Sequence, residues 1–247
     1  MPGDDGDSAP SRAKDRLRKR SQAARKGART RAENARLDAL WKHERELWNS
    51  GHQLIAGVDE SGVGPLAGPV VAAAVILPRD FKSPGLWECK RLAAHKRPHF
   101  CSIIMERATA AAVGIVDVDE LDRINIRQAG LKAMRLALSR LSAQPDCVLV
   151  DGFSVPGLPV FQRPIVDGDA YSMSIAAASV VAKVTRDRIM ERLERLYPGY
   201  GFAAHKGYGT RAHRLAIERL GICPVHRRSF APVARFVRPD GCAAPEG

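Results

Sequence analysis

The spacing of apolar positions changes several times along the chain. Between Arg31 and Trp48, the residues Leu37, Leu40, Trp41, Leu47 and Trp48 fall on one stripe of helical period, with charges elsewhere. This predicts an amphipathic helix over 31–50 that leads into the domain and packs on it, ended by Asn49-Ser50-Gly51. Short apolar runs then predict strands over 54–59, 69–77, 112–117 and 147–151. The first two are joined by a glycine-rich turn, which favours an antiparallel pair. Longer patterns predict helices over 97–111, 119–141 with a break near Asn125, 171–196 and 210–220. Pro145 and Pro198-Gly199 mark boundaries. Strands first, then strands alternating with helices, indicate an α/β domain around a mixed sheet, here expected over 51–236.

The two ends read differently. From Ser11 to Arg31 there are ten Lys or Arg against one Asp, with almost nothing large and apolar. Such a segment cannot bury enough surface to offset its chain entropy, so 1–30 is expected to be a disordered basic arm. It either holds nucleic acid through phosphates or is a solvated tail. Residues 237–247 are expected to be a flexible tail.

Composition narrows the class. The 247 residues suit one domain of fair size plus an appendage, and 45% hydrophobic content is enough for a core. Mean hydropathy is −0.22. No run approaches the roughly 18 apolar residues of a membrane span, and the acidic, polar start, Met1 to Ala9, lacks the apolar stretch of a secretory signal. A net charge of +12 favours a polyanionic partner, with nucleic acid preferred over an anionic membrane surface or a plain basic exterior. The five cysteines (Cys89, Cys101, Cys147, Cys223, Cys242) are odd in number, scattered and without a C-x-x-C pair. That argues against a zinc cluster or disulfide framework and for the reducing cytoplasm.

The candidate chemistry lies at strand ends. The run Leu54-Ile-Ala-Gly-Val carries Asp59 and Glu60 straight into the glycine turn Gly62-Val63-Gly64. Two acids at the end of a buried strand are costly unless a cation holds them, and the usual cation is divalent. Asp151 repeats the arrangement after Val148-Leu149-Val150, although Asp151-Gly152 alone reads better as a turn. Asp169 precedes a small-residue helix, and alone reads as an acid at a helix N-terminus.

Taken together these segments are specific. Gly57-Val-Asp-Glu-Ser-Gly-Val-Gly-Pro-Leu-Ala-Gly-Pro resembles the opening signature of ribonuclease HII. Further matches follow in that family's order: Leu121-Asp122-Arg-Ile-Asn125, Val148-Leu-Val-Asp151-Gly, Gly168-Asp169, Ala176 to Asp187, Tyr200 to Thr210, and His226-Arg-Arg-Ser-Phe230. The resemblance spans about 55–236. It implies a ribonuclease H-like fold, with a mixed five-stranded sheet, flanking helices and additional C-terminal helices. It also implies that the first strand runs beside the fourth, and parallel to it.

By resemblance, the four catalytic and metal-holding acids are Asp59, Glu60, Asp151 and Asp169. The cofactor implied is two divalent ions, Mn²⁺ or Mg²⁺. Asp59 would bridge both, with Glu60 and Asp151 on one and Asp169 nearer the other. The implied activity is endonucleolytic hydrolysis of RNA in RNA/DNA hybrids and of ribonucleotides embedded in DNA, giving 3′-hydroxyl and 5′-phosphate ends. Substrate contacts would come from the amides of Gly62, Val63 and Gly64, from Lys90 and Lys183, and from Tyr208, which would stack near a ribonucleotide–deoxyribonucleotide junction. Arg186 would meet phosphate or pair with the acids. Structural or phosphate-contact roles are preferred for His205 and His226 over metal ligation. A cytoplasmic monomer that works without a membrane is expected.

Three departures from the family pattern stand out. Val63 replaces the arginine of Gly-Arg-Gly, keeping the amides and losing the side chain. Glu88-Cys89-Lys90-Arg91 replaces Asp-Ser-Lys-Lys, and Asp167 adds an acid before Gly168-Asp169. Val63 points to a weakened preference for single embedded ribonucleotides. The alternatives are the substrate preference of the related ribonuclease HIII, or a hybrid-binding protein that cuts weakly.

Overall fold

The computed structural model describes residues 32, 35–82 and 92–237. The expected basic arm, the segment 88–91 with Lys90, and the tail beyond Val237 lie outside the described residues. A compact unit runs from Leu40 onward; in the short segment before it, residues 35–39 are helical.

Within that unit the order is α1 (Lys42–Asn49), β1 (Ile55–Ser61), β2 (Val70–Ile76), α2 (Arg97–Arg107), β3 (Ala110–Val116), α3 (Val118–Ile124), α4 (Ile126–Ser139), β4 (Cys147–Asp151), β5 (Phe161–Ile165), α5 (Met173–Leu196), α6 (Phe202–His205), α7 (Arg211–Leu220) and α8 (Ala231–Ala234). The five strands form one sheet in the order β3-β2-β1-β4-β5. β1 pairs antiparallel with β2 and parallel with β4. The mixed sheet and its flanking helices are the expected architecture.

β1 and β2 are buried almost end to end, as strands covered on both faces should be. One face carries α4, whose Ala133, Met134 and Ala137 join the alternate residues Ala72, Ala74 and Ile76 of β2 in the main core. The long helix α5 crosses the other side, and Gly57 is what lets it approach. A Cβ at Gly57 would stand 2.1 Å from the Ser174 carbonyl carbon, so only glycine fits that contact. α1 closes the same region through Leu47, which packs with Ile55, Leu149 and Ile175.

Several boundaries differ from the sequence expectations. The helix expected over 97–111 ends at Arg107, and residues 110 and 111 already belong to β3. The break near Asn125 is present: Asn125 sits at φ 70°, and its side-chain oxygen accepts from the Gln128 N–H to cap α4. The fifth strand has no apolar run to announce it. Phe161-Gln-Arg-Pro-Ile is a half-exposed edge strand, where Pro164 is tolerated.

Glu44, one of the charges off the apolar stripe of the first helix, is fully buried. One carboxylate oxygen accepts from the Ser172 hydroxyl at 2.7 Å and the Ser174 N–H at 2.9 Å. Burial raises its pKa above the ordinary carboxylate value. It therefore ties α1 to the first turn of α5, where Ser172 is the N-cap.

Candidate active site

The parallel register of β1 on β4 decides where the first acids meet. Val58 pairs with Val150, so Asp59 and Asp151 emerge side by side at one end of the sheet. Asp169 arrives from a short 3-10 turn, Gly168–Ala170, at the entrance to α5. Asp151 Oδ1 accepts the Gly168 N–H at 2.7 Å, locking β4 to that turn. Asp59, Glu60, Asp151 and Asp169 all line one cleft of about 310 Å³. Gly62, Val63, Gly64, Lys183 and Tyr208 line the same cleft, with Arg97 and Ser179 added.

The carboxylates burden one another. Asp59 and Asp169 are buried. Burial first, then the charges of Glu60 and Asp151, hold the Asp59 carboxyl well above the ordinary range; the Ser179 hydroxyl pulls the other way. As they stand the acids are not a finished ligand set. Among the described residues, no three His, Cys, Asp or Glu side chains converge closely enough to hold an ion. The fit to a cation rests on donor chemistry instead: an all-carboxylate cluster, electrostatically strained around a buried Asp59, suits hard divalent ions.

The turn after β1 is held from behind by two arginines. Arg227, fully buried, donates from Nε to the Gly68 carbonyl (3.0 Å), from Nη1 to Val63 (3.0 Å) and from Nη2 to Gly62 (2.5 Å) and Gly68 (2.8 Å). Arg186, also fully buried, donates to the carbonyls of Pro69, Lys206 and Ala67, each at 3.0 Å. Burial pushes their pKa down to about 9 and about 10, so both remain cations at neutral pH. Their hydrogen bonds go to backbone carbonyls, while Asp187 beside Arg186 and Asp122 beside Arg227 act on them through charge. Arg186 is thus neither a phosphate contact nor a partner of the carboxylates, contrary to the sequence expectation. Gly62 is needed here twice over: its φ is 100°, and a Cβ would strike Arg186 Nε at 2.2 Å.

Arg227 is delivered by the segment around it. Asp122 on α3 accepts the N–H groups of Arg228 (2.8 Å) and Ser229 (3.1 Å). The Arg227 N–H donates to Leu66, and the Gly68 N–H to Val225, sewing that segment to the turn.

Tyr208 is fixed by a chain of histidines. The Cys223 N–H donates to His226 Nδ1 (3.0 Å), which leaves the His226 Nε2–H to donate to His213 Nε2 (3.1 Å). His213 Nδ1–H then donates to the Tyr208 carbonyl (3.0 Å). These tautomers follow from the network. Burial is the main cause of depression in both rings, and His226 is pushed down to about 4, helped by His213. Both rings are neutral structural parts at pH 7. His205 stacks on His213 at 4.4 Å. Tyr208 itself lines the cleft and remains 45% exposed.

Lys183 lines the cleft while pairing with Asp187 at 2.5 Å along its own helix. Asp167 is exposed, in the left-handed region at φ 53°, and does not line the cleft. Glu44, His213 and Arg227 are the parts that sequence reasoning did not single out.

Comparisons with known proteins bear on the family and on the fold. The profile of the ribonuclease HII family matches residues 56–233. The chain is similar to ribonuclease HII of Myxococcus xanthus, 54% identical over 206 residues, covering 83% of this chain and 70% of that protein. It is also 52% identical over 214 residues to ribonuclease HII of Geobacillus kaustophilus, covering 87% and 82%. The fold resembles the crystal structure of ribonuclease H2 from Pyrococcus horikoshii, with a TM-score of 0.64 and 24% identity over 74% of this chain and 97% of that one. It also resembles a ribonuclease HIII solved in complex with Mn²⁺, with a TM-score of 0.58 and 21% identity over 74% and 68%.

Proposed function

We infer, because the chain belongs to the ribonuclease HII family, that its carboxylate cleft is where the family's reaction takes place. The protein is an endoribonuclease acting on RNA/DNA hybrids, of a family that depends on divalent metal. In our reading Asp59, Glu60, Asp151 and Asp169 hold two ions, Mn²⁺ or Mg²⁺. When bound, such ions supply an activated water and stabilise the leaving 3′-oxygen.

The remaining roles belong to the chain's own residues. Asp59, at the centre, links the two halves of the carboxylate set. The amides of Gly62, Val63 and Gly64, kept in place by the carbonyl bonds of Arg227 and Arg186, select the 2′-hydroxyl of a ribonucleotide. Tyr208 lays its exposed ring against the sugar or base beside it, which suits an aromatic with a polar tip. Lys183 offers a cation to the phosphate. In this reading the same cleft accepts ribonucleotides embedded in DNA, and the products carry 3′-hydroxyl and 5′-phosphate ends.

The observation that carries the reading is a shared cleft. Four acids from three separate segments, the amide turn and Tyr208 all line one 310 Å³ cleft. The test is Asp151→Asn. It should abolish hybrid cleavage in Mn²⁺ and in Mg²⁺ while hybrid affinity stays within a few-fold of wild type. A variant that still cuts at the wild-type rate would refute the assignment.

A further inference from the structure

A second groove, of about 250 Å³, opens beside the cleft and shares Glu60, Val63 and Asp151 with it. Its floor is apolar, formed by Ile126, Leu131 and Met134 of α4. Phe153, from the loop after β4, stands at its edge with 79% of its surface exposed. An aromatic ring left in water forgoes the stabilisation that burial would contribute.

Gly130 is the second observation. It lies inside α4, where glycine is less favourable than alanine. Gly114, on the strand packed against α4, answers a close contact: a Cβ there would stand 2.0 Å from the Ala133 carbonyl oxygen. Gly130 has no such excuse. It is buried with ordinary helical backbone, yet a Cβ there would meet nothing within 4 Å. The empty space is the groove, and Gly130 keeps its floor open.

We propose that this groove is a nucleoside subsite for the strand being cut. It takes the sugar and base edge of the nucleotide next to the scissile phosphate, with Phe153 against the ring. The inference rests on the nuclease reading above. A strand crossing Glu60 and Asp151 enters the groove within one nucleotide step, because the two acids line both spaces. Exposed Arg127 lies at the rim, available to the following phosphate. Aromatic and apolar surface with one cation is the usual equipment for a stacked nucleotide.

The test fills the groove without touching the acids. Gly130→Leu adds a helix-favouring side chain into open space, so melting should not fall. KM for a continuous hybrid in Mn²⁺ should rise roughly tenfold, the scale of one lost stacking contact, with far less change in kcat. Phe153→Ser, at an exposed position, should weaken hybrid binding comparably and covers the case in which Gly130→Leu fails to fold. Duplexes with an abasic site one nucleotide to either side of the cut identify the occupant. Wild type should lose affinity for one of them, and Gly130→Leu should lose that discrimination. Unchanged KM and binding in both variants, or an abasic penalty equal in wild type and variant, would overturn the subsite. If Asp151→Asn is dead while both groove variants match wild type, only the groove falls; if Asp151→Asn cuts normally, the nuclease reading falls first.

Discussion

The Val63 carbonyl accepts a hydrogen bond from Arg227 Nη1 at 3.0 Å, so the residue that rims the cleft is held from beneath by one 164 positions later. The backbone of the turn is pinned, whereas Val63 is 43% exposed where the cleft meets the neighbouring groove. A change of side chain there can alter what the turn touches without altering where its amides point.

Val63→Arg should therefore fold normally, within about 0.5 kcal/mol of wild type. It should raise cleavage of a duplex with one ribonucleotide relative to a continuous hybrid by about tenfold, the size of one charge-assisted hydrogen bond. Wild type should prefer the continuous hybrid. Equal or better wild-type cleavage of the single-ribonucleotide duplex would contradict the role given to Val63.

Arg227→Lys keeps the charge and loses the fork that reaches Gly62, Val63 and Gly68 together. Leaving buried carbonyls unpaired should cost about 3 kcal/mol, or roughly 6–12 °C in melting temperature. Amide exchange at Val63 and Gly64 should quicken well beyond what the lower global stability accounts for. Exchange that merely tracks global unfolding would reduce Arg227 to a packing residue.

His226 sets an acid limit on stability. Its folded pKa, about 4, lies below the unfolded value of 6.5, so its stabilising effect is complete above pH 6.5. As pH falls from 6.5 towards 4 the unfolded chain takes up the proton first, and stability drops by an amount on the order of 3 kcal/mol. Glu44 and Asp59, with raised values, act in the opposite direction. The contribution is isolated by comparing denaturation curves with those of His226→Asn, whose side-chain oxygen can still accept the Cys223 N–H. Parallel pH profiles for the two proteins would count against this account.

Gly57→Ala should be among the most damaging single-methyl changes. The added Cβ would lie 2.1–2.4 Å from backbone atoms of Ser174 and Ile175, which cannot swing aside. The expected cost is about 3 kcal/mol or more, with α5 displaced and cleavage reduced through Asp169 and Ser179. Wild-type melting for this variant would mean the helix seats on the strand differently.

Much of this was open to the sequence because buried strands that end in acids are unusual. Val58-Asp59 and Val150-Asp151 show both the strand and the chemistry in one short run, and the pairing of β1 with β4 brings them together. What escaped is what sequence treats as surface. Glu44, Arg186, Arg227 and His213 are all buried, against the habit of their residue types. The partners of both arginines are backbone carbonyls, which every residue carries and no pattern marks. β5 escaped for the opposite reason: an edge strand with Pro164 needs little apolar character.

The arginine beneath the turn also gives the site a birthday. Asp59 and the turn are made early, but Arg227 and the segment Asp122 grips come 168 residues after Asp59. At 5–20 residues per second, that interval on the ribosome is on the order of ten to thirty seconds. A nascent chain can have its sheet and all four acids in hand and still lack the brace that fixes Gly62 and Val63. A product truncated before Arg227 would lack the hydrogen bonds to the Gly62 and Val63 carbonyls.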